Sequence, residues 1–152
     1  MSAAYFYHLT RRPLDVTLPS LLAKSLQAGW RVYIRGSDDE RLKWLDEKLW
    51  LGGDDGFLPH GLAGGAHDAD QPILLGQSVA HANGAACLMC IDGASIDPTE
   101  VANYERVCIL FDGNDADALA AARGQWKLLA DAGCSAQYWS EESGNWQKKA
   151  ET

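Results

Sequence analysis

Positive charge is in short supply in this chain: 13 Lys and Arg stand against 21 Asp and Glu in 152 residues, a formal net charge of −8. A broad nucleic-acid face needs clustered cations to meet phosphates, so DNA is expected to be reached only indirectly. No apolar run approaches 18 residues, and no basic segment precedes an apolar leader. A membrane span and a secretory signal are therefore not expected, and a cytoplasmic location is. The four cysteines, Cys87, Cys90, Cys108 and Cys134, sit inside apolar runs and not in a loop framework. That excludes the disulfide-stapled secreted class. There is no Walker Lys-Ser/Thr ending, no HExxH and no G-x-S-x-G.

What is present is globular composition, 47% hydrophobic with 9% aromatic, in a length that suits one domain burying roughly 70% of its unfolded surface. Trp30 to Arg35, bounded by Gly29 and Gly36, predicts a short buried strand. Ser37, Asp38 and Asp39 then offer caps to a helix whose Leu42, Leu45 and Leu49 share one face, with Trp44 pointing away and Trp50 on the flank. Before it, Ala4 to Leu9 predicts a first strand, and Thr17 a cap for a helix with Pro19 in its first turn. Strand, helix and strand in this order predict a parallel pairing of the first two strands. Cys87 to Asp92 and Val107 to Asp112 have the profile of central strands. Asp115 to Ala132 is helical, Ala136 to Ser140 a last strand, and Glu141 to Thr152 a frayed polar tail carrying Trp146. The expected fold is α/β, a three-layer α/β/α sandwich with a mainly parallel sheet, Rossmann-like, with one domain over 1–140 and a tail over 141–152.

Candidate chemistry is sparse. Gly61-Leu62-Ala63-Gly64-Gly65 invites a phosphate-loop reading but lacks the motif's cation and hydroxyl. Cys87 and Cys90 have metal-pair spacing, yet in a strand an odd separation sends them to opposite faces, and no metal or cofactor is expected. His60 after Pro59 is expected to fix a loop. Asp92 and Asp112 end strands where an α/β enzyme places acids, although Asp is common there as a turn residue.

The order Arg31-Val32-Tyr33-Ile34, then the helix from Asp38 to Trp50, then Phe57-Leu58-Pro59-His60-Gly61-Leu62-Ala63-Gly64 resembles the chi subunit family of the bacterial DNA polymerase III holoenzyme. Ala4-Tyr5-Phe6-Tyr7, the strand Arg106 to Asp112 and the run Arg123 to Lys127 fall in matching order, so the resemblance spans nearly the whole chain. It implies a non-catalytic clamp-loader accessory in DNA replication, with two docking surfaces. Trp50 and Phe57 match positions that face the psi subunit, or a helicase in its place. Arg123, Trp126 and Lys127 match a pocket for the acidic, Phe-ended tail of single-stranded DNA-binding protein. By spacing alone Trp126 also continues the stripe Leu119, Ala122, Leu129, which would place it in the core. The alternative is a nucleotide-binding or hydrolytic α/β enzyme using Asp92, Asp112 and His60.

Overall fold

The structure is a computed structural model in which residues 2–51, 58–77, 83–141 and 145–152 are described. In chain order the elements are β1 Ala3–Leu9, α1 Leu14–Gln27, β2 Val32–Arg35, α2 Asp39–Trp50, β3 His60–Leu62, β4 Ile73–Gly76, β5 Cys87–Cys90, β6 Arg106–Asp112, α3 Ala116–Asp131, β7 Ala136–Ser140 and β8 Gln147–Glu151. Short 3₁₀ turns occupy Asp68–Asp70 and Pro98–Asn103. The strands form one sheet in the order β3-β4-β2-β5-β6-β1-β7-β8, parallel throughout except for the antiparallel β7–β8 pair.

The fold follows from strands that are apolar on both sides. Every residue of β2, β4 and β5 is buried, which a sheet allows only where both of its faces are covered. Period-two alternation then splits the side chains. Val32, Ile34, Ile73, Leu75, Cys87 and Met89 pack with Leu18 and Leu22 of α1 and Leu42, Leu45 and Leu49 of α2. Tyr33, Leu74, Leu88 and Cys90 point the other way, into a cluster with Ala122 and Leu129 of α3. The odd separation of Cys87 and Cys90 thus sends one thiol to each cluster.

Two helices start as carboxylate capping dictates. Asp38 accepts from the Glu40 amide, and Asp115 accepts from the amides of Asp117 and Ala118, a contribution of about 1 kcal/mol each. The first helix departs from expectation. It begins at Leu14 with Pro13 as its N-cap and no side-chain cap, so Thr17 is a buried interior residue and Pro19 lies inside the helix. Pro13 already carries the φ of a helix entry, and its carbonyl accepts from Val16 and Thr17. The entry needs no hydroxyl.

Two further expectations are corrected. Strands β1 and β2 run parallel but are not neighbours, because β6 and β5 lie between them. The end of the chain is not frayed. Residues Gln147–Glu151 pair with β7, and Thr152 closes the edge by donating to the Ala136 carbonyl at 2.9 Å while its hydroxyl accepts from the Ala136 amide at 3.0 Å. Trp146 sets its edge against Tyr7, ring centroids 5.3 Å apart at 88°. All five β8 side chains are exposed. Such a strand has no apolar alternation to betray it, since its pairing comes from the open edge of β7.

Burial makes a chemical prediction. Cys87, Cys90 and Cys108 are buried and Cys134 is partly exposed; burial pushes the Cys90 thiol up to about 12, against a smaller opposing pull from Arg35. A thiol reagent at neutral pH is therefore expected to label Cys134 alone in the folded protein and all four cysteines after unfolding. Fast labelling of a second thiol in the native state would contradict the packing described.

Candidate functional site

In a parallel α/β sheet, ligands favour the crevice beyond the carboxyl ends of the strands. Here that crevice is a cleft of about 1010 Å³, lined among others by Arg11, Arg12, Arg41, Trp44, Asp92 and Asp112. Its charged groups are largely engaged by the chain itself. Arg41 donates to both carboxylate oxygens of Asp92, at 3.1 and 3.2 Å, and stacks on Trp44 at 4.3 Å. Asp92 sits at φ 51° in a turn with Gly93 at φ 82°, and its carbonyl accepts from the Ser37 hydroxyl at 2.6 Å. Asp112 accepts from the Asn114 amide at 2.9 Å.

Backbone amides that could cradle an anion are occupied in the same way. The amides of Thr10, Arg11 and Arg12 converge on one oxygen of Glu141, at 3.2, 3.0 and 2.9 Å, and Glu141 is 1% exposed. In the glycine-rich segment, Gly64 and Gly65 donate to the two oxygens of Asp68, at 2.9 and 3.0 Å. Where a nucleotide phosphate would sit in such loops, each loop binds a carboxylate of the same chain. Sequence reasoning missed Glu141, and no local signal exists for it, because its partners lie about 130 residues away.

His60 is far from the strand-end acids. It begins β3, three strand spacings from β5, roughly 14 Å at the usual separation. Its ring is buried, with Nδ1 2.5 Å from the Leu58 carbonyl and Nε2 3.1 Å from the Asp46 carbonyl and 3.3 Å from the Asp46 carboxylate. These contacts clamp the turn after α2 onto that helix. Asp92, Asp112 and His60 are therefore not brought together.

The candidates from resemblance lie on outer surfaces. Trp50, at the end of α2, is 53% exposed and its ring sits 4.3 Å from that of His60; Leu51 beside it is 79% exposed. Phe57 lies outside the described residues. On α3, Arg123 and Lys127 are exposed, one turn apart on the same flank. Among the described residues neither joins an ion pair or a side-chain hydrogen bond. Trp126 turns inward, half-buried, edge-on to Phe6 at 5.3 Å and to Tyr138 at 6.0 Å. The side chain of Gln125 fixes the helix by donating to the Ile96 carbonyl at 2.8 Å and accepting from the Ile96 amide at 3.3 Å.

A mainly parallel α/β protein whose strand-end groups are tied to one another, and whose candidate residues face outward, is built as a scaffold carrying surface sites. The chain belongs to the family described as DNA polymerase III chi subunit, HolC, whose profile matches residues 1–137. It is also similar to DNA polymerase III subunit chi of Pseudomonas aeruginosa, 29% identical over 113 residues that cover 74% of this chain and 76% of the relative. The family places the protein in DNA replication.

Proposed function

We propose that this chain is a non-catalytic docking subunit of the polymerase III assembly, linking its clamp loader to the acidic tail of single-stranded DNA-binding protein in the cytoplasm. In this reading residues 1–140 form one chi-like domain with a three-layer, Rossmann-like arrangement, to which 141–152 adds an edge. Arg123 and Lys127 on α3 receive the tail, with Trp126 backing them, and Trp50 and Phe57 receive psi or a helicase in its place.

The observation that carries the first docking surface is a pair of exposed cations, one helical turn apart and without ion-pair partners among the described residues, in a chain of net charge −8. At long range such a chain repels an acidic peptide, so affinity must come from local charge-assisted bonds. Nucleotide chemistry has less support, because the amides near the crevice already hold Glu141 and Asp68.

The test is a titration with an acidic peptide ending in Phe. Binding is expected to weaken with salt and to fall by about 1.5 to 3 kcal/mol in Arg123→Ala, the range for a hydrogen bond to a charged group. ATP with Mg²⁺ is expected to leave the melting temperature unchanged while the peptide raises it. Peptide binding that ignores the Arg123 substitution would remove the assignment.

A further inference from the structure

The exposed face of α3 carries a second row beside the cations. Gly124 and Leu128 are one turn apart, each adjacent in sequence to a member of the basic pair, and both are exposed, Leu128 at 52%. Gly124 is unusual in purpose. A Cβ built there would meet nothing within 4 Å, so no neighbouring element of this chain requires the glycine. An exposed glycine inside a helix is nevertheless destabilising relative to alanine. The inward position is filled by Trp126 on Phe6 and Tyr138, and therefore cannot offer its ring face outward without leaving the core.

Resting on the docking assignment above, we infer that the α3 surface reads the register of an extended acidic peptide: two carboxylates one residue apart on Arg123 and Lys127, with an apolar side chain over Gly124 against Leu128. The spacings decide this. Residues one helical turn apart present their side chains roughly 5–6 Å apart. An extended peptide advances about 3.3 Å per residue and returns to the same side every second residue, at about 6.6 Å. Acidic groups at alternate positions, one of which can be the terminal carboxylate, therefore match the two cations, while the residue between them or beside them points to the other row. The bare backbone at Gly124 lets the peptide lie close, and Leu128 supplies the apolar wall. Asp131, exposed and four residues beyond Lys127, bounds the basic row at that end and disfavours a further acid there.

The proposal separates folding from binding. Gly124→Ala is expected to raise the melting temperature by about 2 to 4 °C, since the methyl has open space and alanine is the better helix former. The same substitution is expected to weaken a Phe-ended acidic peptide by roughly threefold to tenfold, and Leu128→Ser by about tenfold, without loss of stability. A peptide with its two acids adjacent instead of alternate is expected to bind the wild-type chain about tenfold more weakly than the alternate one. These measurements use fluorescence anisotropy on the full chain, with Arg123→Ala alongside. If Gly124→Ala, Leu128→Ser and the shifted peptide all stay within twofold while Arg123→Ala abolishes binding, the register proposal is wrong and the docking assignment stands. If no acidic peptide binds the wild-type chain, both fall together.

Discussion

Replacing Glu141 by alanine is expected to destabilise the protein by about 2 to 4 kcal/mol, although the residue touches neither proposed docking surface. Its carboxylate accepts three consecutive amides, of Thr10, Arg11 and Arg12, and is 1% exposed. Removing it leaves partly buried donors without an acceptor, and an orphaned donor costs its full desolvation, more than the bond's net worth. It also frees the loop between β1 and α1 from the end of β7. Glu141→Gln keeps a carbonyl oxygen in the same place and is expected to recover more than half of the loss. Urea unfolding of the three proteins checks this, and equal midpoints for wild type and Glu141→Ala would show that water satisfies those amides equally well.

Arg35→Ala should be comparably damaging, at about 3 to 5 kcal/mol. The guanidinium is 3% exposed, bonded to the Glu100 carboxylate at 2.8 and 3.4 Å and to the Ser95 carbonyl at 3.1 Å. It ties the end of β2 to the turn Pro98–Asn103, which also holds a capping box between Asp97 and Glu100. The pair is costly to desolvate, so the loss on truncation measures the stranded partner more than the worth of the bond. Arg35→Met combined with Glu100→Leu is therefore expected to be much closer to wild type than Arg35→Ala alone.

The same pair sets a pH dependence. Partial burial raises the Glu100 carboxyl, but the Arg35 bond and the Asp97 amide outweigh it and hold the group below the ordinary range. A carboxyl whose folded value is depressed contributes stability above its unfolded value, about 4.3 for Glu, and loses it as pH falls through the lower folded value. Wild type should thus lose stability on acidification from neutral pH to about pH 3, and Arg35→Ala should lose less over that interval. Parallel slopes for the two proteins would remove Glu100 from the acid limb.

Comparison of residues with structure shows where local reasoning stopped. The Leu42, Leu45 and Leu49 stripe, the Asp38 cap and the apolar central strands were legible because each rests on interactions within a few residues or on burial on both sides. The entry of α1 was misread at Thr17 because Pro13 supplies the backbone conformation that a capping side chain would otherwise favour. The exposed β8 was missed because nothing in Gln-Lys-Lys-Ala-Glu marks a strand without a partner edge. Glu141 and Gln125 work only through residues distant in sequence, so no pattern could indicate them.

The sequence by itself determined the α/β alternation, the side chains that form its interior, and the placement of Arg123 and Lys127 on one flank of a helix. Periodicity and capping act within a few residues and need no knowledge of the rest. Only the tertiary structure decided that β6 and β5 separate β1 from β2, that Trp126 faces inward while Leu128 faces out, and that Glu141 fills the amides beside the crevice. Those outcomes depend on which distant surfaces meet, and that is set by the packing of the whole sheet.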